Sequence, residues 1–215
     1  MTAFRIVGGG RAGLSMHDAL VAAGWHSAGV LGRGDDLRAV ARGVGVVIIS
    51  TPDRSIATVA QTIEPVASTC LVHLAGSRGL AELAPHERRA AVHPLMTLPD
   101  RERGAALLRG AWFAVADHSR ALYHAAAVVA SNHVVALLGQ VERFAAGAHV
   151  PFGALFDLVR ASVDNTEALG PAAALTGPAA RRDTTTIEAH LAAMHEGERD
   201  LYRSLVDAAL RLKDR

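Results

Sequence analysis

The hydrophobic pattern changes character about halfway along the chain. Short continuous apolar runs alternate with helical stretches as far as Ala116, and from Ser119 onward nothing reads as strand. The apolar runs are Phe4 to Val7, Ser27 to Leu31, Gly45 to Ser50, Cys70 to Leu74, Ala90 to Val92 and Ala111 to Ala116. Gly45 to Ser50 is rich in β-branched residues and shows no alternation, the mark of a strand buried on both faces. Helices are predicted at Leu14 to Ala23, at Ser55 to Val66 until Pro65 disturbs it, and briefly around Leu80 to Leu83. Repeated strand-helix units of this length predict an α/β fold, a parallel sheet with helices on both faces, followed by a smaller all-α domain. The boundary is expected between residues 117 and 118, giving domains 1–117 and 118–215.

In the second half, Ser119 reads as an N-cap. Helices are predicted at Arg120 to Ala146, Phe152 to Leu169, Thr186 to Met194 and Glu198 to Leu212, with Thr185 and Glu188 as a capping box for the third. The first of these is apolar nearly all round between Ala121 and Leu138, and such a helix needs cover on every side. Too little chain remains to supply it, so a homodimer through the helical domain is expected. At about 100° per residue, His124 and Ser131 fall on one face of this helix, Asn132 lies about 80° from His124, and His133 points away. His124, Ser131 and Asn132 are therefore candidates to line one cleft, and His133 is assigned to structure.

Half of the residues are apolar and a fifth are charged, which excludes wholesale disorder. The 22 basic residues nearly balance the 21 acidic ones, which argues against a nucleic-acid or polybasic membrane surface. No run of apolar residues approaches the roughly 20 that a membrane helix needs. A single cysteine, Cys70, suits a reducing compartment, and the chain opens without a signal-peptide pattern, so a cytoplasmic location is expected. Only one of the basic residues is a lysine, Lys213 near the carboxyl end. A P-loop, Schiff-base chemistry and a Tyr-x-x-x-Lys pair are thereby excluded, and a proton donor has to be histidine, tyrosine, a carboxylic acid, a hydroxyl or water.

The first strand runs into Gly8-Gly9-Gly10-Arg11-Ala12-Gly13, which is G-x-G-x-x-G between a strand and a helix. In that setting Gly8 makes a tight turn, Gly10 admits a pyrophosphate and Gly13 allows close helix-strand packing, with Arg11 opening the helix whose amino terminus faces the phosphates. Arg33 stands 20 positions after Gly13, at the end of the second strand. Arginine there accommodates a 2′-phosphate, so NADP is the expected cofactor, although Asp35 and Asp36 follow closely. Ligands of such sheets bind beyond the carboxyl ends of the strands, where Thr51-Pro52, Ala75-Gly76 and His93 also fall. Arg181, just before a helix amino terminus, is suited to a carboxylate or phosphate, and Asp183 either orients it or caps the helix. No histidines show ligand spacing, so no metal is expected.

These pieces, in this order, resemble a bacterial family of two-domain Rossmann-like proteins whose carboxyl half is catalogued as domain of unknown function 2520. The resemblance rests on Gly8 to Gly13, Ser50-Thr51-Pro52-Asp53, Val72-His73-Leu74-Ala75-Gly76, His93-Pro94-Leu95, Tyr123-His124-Ala125-Ala126 with Ala130-Ser131-Asn132, and Leu175 to Asp183 with His190-Leu191. It implies a fold like 6-phosphogluconate dehydrogenase, with a helical dimerising domain, and a layout similar to ketopantoate reductase and pyrroline-carboxylate reductases. Two positions depart from the family pattern: Ala75-Gly76 replaces Ser-Gly, and Arg181-Arg182-Asp183 replaces Arg-Gly-Asp. The stretch from Arg33 to Gly45 is too short for a helix and a further strand, so a trimmed sheet is expected there.

Together these observations lead to the expectation of an NADP-dependent oxidoreductase that reduces a small, anionic carbonyl or imine compound. NAD and coenzyme F420 are the alternative cofactors. His93 or His124 is the expected proton donor, Asn132 holds the substrate carbonyl, and Arg181, with Ser131 and Asp183, faces its carboxylate. The rival from another class is a non-catalytic dinucleotide-binding sensor or assembly protein.

Overall fold

The structure is a computed structural model and describes residues 2–115 and 119–214. The chain divides into two compact units, Met1–Ser131 and Asn132–Arg215. The domain boundary expected between residues 117 and 118 lies outside the described residues.

The first unit is built on β1 (Ala3–Val7), β2 (His26–Leu31), β3 (Val46–Ile49), β4 (Cys70–His73) and β5 (Arg89–Ala91), joined in the order β2-β1-β3-β4-β5 with every pair parallel. Successive side chains of these strands enter two separate cores, as a strand's period of two requires. Val7, Val47, Ile49 and Leu71 pack on one face with Ile56, Ala60 and Ile63, which belong to or directly follow α2 (Ile56–Thr62). Phe4, Ile6, Ile48 and Val72 pack on the other face with Met16 of α1 (Arg11–Ala22) and with Leu108. The sheet thus has helices on both faces, and the α/β fold class holds.

Between β2 and β3 the chain has no helix and no strand, as the short spacing requires. Val40, Ala41 and Val44 are buried from turns, and the Arg5 guanidinium donates to Val40 O while Thr69 Oγ1 reaches Ala41 O and Val44 O. Side-chain hydrogen bonds here satisfy carbonyls that a helix would have paired internally.

Two readings need correction. Among the described residues, the run expected to form the last strand of the parallel sheet yields β7 (Phe113–Ala114), which pairs antiparallel with β6 (His93–Pro94) in a separate two-stranded ribbon, and Ala116 lies outside the described residues. The pattern also conceals a helix, α3 (Arg101–Leu107), capped by the Asp100 side chain on Arg103 N–H. It meets α1 through a glycine: a Cβ on Gly104 would lie 2.2 Å from Ser15 Oγ, so this contact shows no apolar stripe.

From Ser119 the chain enters α4 (Arg120–Val128), a π-turn over Val129–His133, and α5 (Val134–Gly147). Ser119 holds the N-cap position with left-handed backbone, φ 59°, and no side-chain cap bond. The π-turn replaces the unbroken α-helical phase assumed from sequence, so the angles calculated for residues beyond it do not apply. The apolar-run count is likewise corrected: the helix Arg120–Gly147, 28 residues with a mean hydropathy of 1.5 at its most apolar, is long and apolar enough to cross a membrane by length and composition. Counting runs stops at His124 and at residues 131–133, whereas an average is carried across them by alanine, valine and leucine.

The second unit adds α6 (Phe156–Leu169), α7 (Pro171–Ala174), α8 (Thr184–Ala193) and α9 (Glu196–Lys213) to α5. The cap of α8 is Asp183, whose carboxylate accepts from Thr186 N–H at 3.0 Å, and not the expected Thr185.

Candidate functional site at the strand ends

The strand order turns around at β1, with β2 on one side and β3 on the other, and a crevice opens beyond carboxyl ends at such a switch point. Gly8 N–H donates to Leu31 O and Ser50 N–H to Val7 O, each at 2.8 Å, which ties the first loop to both neighbouring strands. Gly8 has φ +114° and its carbonyl lies against Gly13, where a Cβ would sit 2.0 Å from the oxygen. Only glycine meets both conditions. Gly10, by contrast, has nothing within 4 Å of its absent Cβ and is the N-cap of α1, with no side chain capping the first turn. Arg11 is exposed at the helix start. The loop therefore presents open space and unpaired amides at the positive end of a helix, which is the chemistry of an anion cradle.

Arg33 is exposed just past β2. The two carboxylates beside it are engaged in their own turn: Asp35 accepts from Gly32 N–H at 2.7 Å, and Asp36 pairs with Arg38, which holds its carboxyl down at about 2. Across the switch point, Thr51 Oγ1 is buried without a hydrogen-bond partner among the described residues, and exposed Pro52 opens the next turn. Asp53 accepts from Ser77 Oγ at 2.5 Å and joins the loops after β3 and β4.

The loop after β4 forms the second part of the site. His73 is fully buried; its Nδ1 accepts from Ala75 N–H and its Nε2 donates to Gly79 O, both at 3.2 Å. Burial pushes its pKa down, with Arg120 adding to the effect, against the bond to Gly79 and the charges of Asp53 and Glu82. Arg120 is buried and donates to the carbonyls of Ala75 and Gly76. Gly76 is the meeting point: a Cβ there would lie 2.6 Å from His124 Nδ1 and 3.0 Å from His93 Nε2. The two imidazoles stand edge to face, 5.9 Å between centroids, and His124 Nδ1 is buried without a hydrogen-bond partner among the described residues. His93 Nδ1 is 2.6 Å from Tyr123 Oη. Burial first, then His124 and Arg120, push the His93 pKa down against a smaller pull from Asp53, and burial pushes Tyr123 up.

The structure thus brings His93 and His124 together. Ser131 lies in the π-turn, its hydroxyl donating to Ala127 O at 2.6 Å. Asn132, Arg181 and Asp183 belong to the second unit. There Asn132 is exposed, Arg181 is exposed with its N–H directed at Gly177 O and Pro178 O, and Asp183 caps α8. Three residues near Gly76 were given no role from sequence. His73 signals itself as a lone imidazole in an apolar strand, Tyr123 is the neighbour of His124, and the contacts of Arg120 with the carbonyls of Ala75 and Gly76 leave no signal in the sequence.

Compared with known proteins, the chain matches the family model described as a domain of unknown function, DUF2520, over residues 100–209. No curated protein matches it. Among solved structures it is similar to a protein of Bacteroides fragilis provisionally described as an NADP oxidoreductase, at 19% identity and a TM-score of 0.80 over 98% of both chains. It is similar also to a protein of Thermotoga maritima, at 22% identity and a TM-score of 0.73 over 99% of this chain and all of the other. A third is the pyrroline carboxylate reductase of Plasmodium falciparum with NADP bound, at 11% identity and a TM-score of 0.61 over 99% and 97% of the two chains. At such identities the likeness is one of fold.

Proposed function

The chain belongs to the DUF2520 family, and from that premise we propose that it is an oxidoreductase that uses NADP to reduce a small carbonyl or imine compound. The observation that carries the reading is the convergence of two unlike features beyond one set of strand ends: a glycine turn open at Gly10, and two imidazole nitrogens facing Gly76. Two structural neighbours, one provisionally described as an NADP oxidoreductase and one a pyrroline carboxylate reductase with NADP bound, support the same chemistry.

The residues present fit a dinucleotide. The backbone of Gly8, Gly10, Arg11 and Gly13 would hold the pyrophosphate, Arg33 the 2′-phosphate, and the buried Thr51 hydroxyl, without a partner among the described residues, would with Pro52 hold the nicotinamide side. Bound there, the cofactor supplies a hydride to the substrate carbon. The protein's part is to place the acceptor and deliver a proton to the oxygen or nitrogen that gains charge. His93 and His124 are the groups proposed for it, with burial holding the His93 pKa below its ordinary value.

A second copy of the chain is the proposed cover for the apolar helices. On α5 and α6, Val135 is 69% exposed, Leu158 66% and Leu169 61%, apolar surface that a second copy would cover.

The test is thermal stabilisation by NADPH and by NADH, followed by NADPH oxidation against panels of 2-oxo acids and cyclic imines. Stabilisation by NADPH with turnover on one panel is the expected result. Stabilisation without turnover on any substrate supports a nucleotide sensor instead, and no stabilisation by either coenzyme removes the proposal.

A further inference from the structure

We propose that Tyr123 supplies the proton that His93 delivers at Gly76, the imidazole acting as a neutral relay between phenol and substrate. The inference deepens the reductase reading and rests on it for the substrate, but the relay itself is a property of these two side chains.

The geometry is that of a through-ring path. Tyr123 Oη lies 2.6 Å from His93 Nδ1, the two rings are edge to face at 82°, and the opposite ring nitrogen, Nε2, lies 3.0 Å from the place of the missing Gly76 Cβ. The protonation states follow from the surroundings. Tyr123 is half-buried and its pKa is raised, so it keeps its proton at neutral pH and donates. His93 faces His124, Tyr123 and Arg120 of α4 and Asp53 of the loop after β3, and the balance of burial and charge keeps it neutral. A neutral imidazole that accepts at Nδ1 carries its hydrogen on Nε2. That hydrogen lies on the Gly76 side of the ring, where His124 Nδ1 also packs against the glycine, so a substrate atom that takes the proton would sit beside both nitrogens.

In the reductive direction the His93 Nε2–H bond breaks as the proton joins the substrate oxygen or nitrogen. The Tyr123 O–H bond breaks as its proton joins Nδ1, leaving the imidazole neutral in its other tautomer and a phenolate beside it. Arg120 lowers the cost of that phenolate by its charge. After product leaves, water gives a proton to Nε2 and the Nδ1 proton returns to Tyr123. The pair moves protons only; the hydride belongs to the proposed cofactor. Tyr123 never touches the substrate and is a positioning and proton-supplying residue, whereas His93 is the donor.

The test compares the protein with its Tyr123→Phe variant in two ways. With ¹⁵N-labelled histidine and no cofactor, NMR reads the tautomer: His93 of the parent is expected to carry hydrogen on Nε2 alone, and the variant to mix both tautomers. In NADPH oxidation, the variant is expected to lose about a hundredfold in kcat above neutrality and to recover part of it on acidification, where imidazolium supplies the proton, with NADPH affinity unchanged. An unaltered tautomer together with an unaltered pH profile overturns the relay. Should Tyr123→Phe fold poorly, 3-fluorotyrosine at position 123, a more acidic phenol of nearly the same shape, is expected to move the alkaline limb of the profile to lower pH, and an unmoved limb overturns the relay equally. If the parent neither binds nor oxidises NADPH, the reductase reading fails, and the tautomer spectrum still decides the pairing.

Discussion

Gly13 approaches Gly8 so closely that a Cβ on the first would lie 2.0 Å from the carbonyl oxygen of the second, while Gly10 between them has open space on every side. Glycines of one motif therefore serve different ends, the outer ones folding and the middle one access. Gly13→Ala is expected to destabilise the chain by about 1–3 kcal/mol, since backbone has to shift. Gly10→Asp is expected to leave stability within about 0.5 kcal/mol of the parent or above it, because the extended N-cap position favours aspartate. The same carboxylate repels a pyrophosphate. Urea denaturation alongside the NADPH-induced thermal shift separates the two, with Gly10→Asp losing only the second. A Gly10→Asp protein that still responds to NADPH would place the cofactor elsewhere.

His73 makes stability depend on pH through its neutral form. Its Nδ1 has to accept from Ala75 N–H, and protonation removes that acceptor inside the sheet. Because the folded pKa lies below the ordinary 6.5, the unfolded chain takes up the proton first as pH falls. Stability is thus level above about pH 6.5 and is lost as pH falls below it, and His93 adds to the loss with the same sign. Urea midpoints at pH 7.5 and 5.5 are expected to differ in the parent and to differ less in His73→Gln, which lowers both and leaves the His93 contribution. An unchanged pH slope in that variant would assign the acid sensitivity to other groups.

Arg182 holds φ 55° while pairing with Asp214. Left-handed backbone costs a residue with a Cβ about 1 kcal/mol, and an exposed ion pair returns about as much or less. Arg182→Gly and Arg182→Ala both remove the pair, so their difference isolates the backbone. The glycine variant is expected to be more stable than the alanine variant by about 1 kcal/mol, the reverse of their usual order in a helix. Thermal or urea denaturation of the two checks it.

These comparisons mark what was legible in the chain and what was not. The five parallel strands announced themselves because β-branched runs such as residues 46–49 are buried on both faces, and the glycine turn followed from its place between strand and helix. Helix α3 was illegible because it meets α1 through Gly104, where a small residue carries no hydrophobic period. The run from Ala111 reads as a last strand of the sheet, and its pairing with His93-Pro94 was illegible, because two-residue strands have no alternation to read. The π-turn left no trace in the sequence Val-Ala-Ser-Asn-His, none of which demands the wider winding. His93 and His124 were legible singly, from a strand end and a helix face. Their meeting at Gly76 was not, nor was the bond from His93 to a tyrosine 30 positions away, since neither spacing follows a local period.

Gly76 offers the sharpest separation of site from scaffold. Its backbone is not left-handed, so alanine is conformationally acceptable, and the atoms nearest the added methyl are the two imidazole nitrogens at 2.6 Å and 3.0 Å. Among the described residues the imidazole of His124 makes no bond through Nδ1 and is able to swing aside, whereas His93 is held by Tyr123. Gly76→Ala is therefore expected to fold, with stability lower by about 1–2 kcal/mol, and to bind NADPH as the parent does. Displacement of the donors by a fraction of an ångström is expected to reduce kcat by about a hundredfold, the scale set by misplaced groups in other sites. Steady-state kinetics on whichever panel the parent turns over, with NADPH affinity measured in parallel, provides the check. Full turnover in Gly76→Ala would mean that protons reach the substrate without passing the space between His93 and His124.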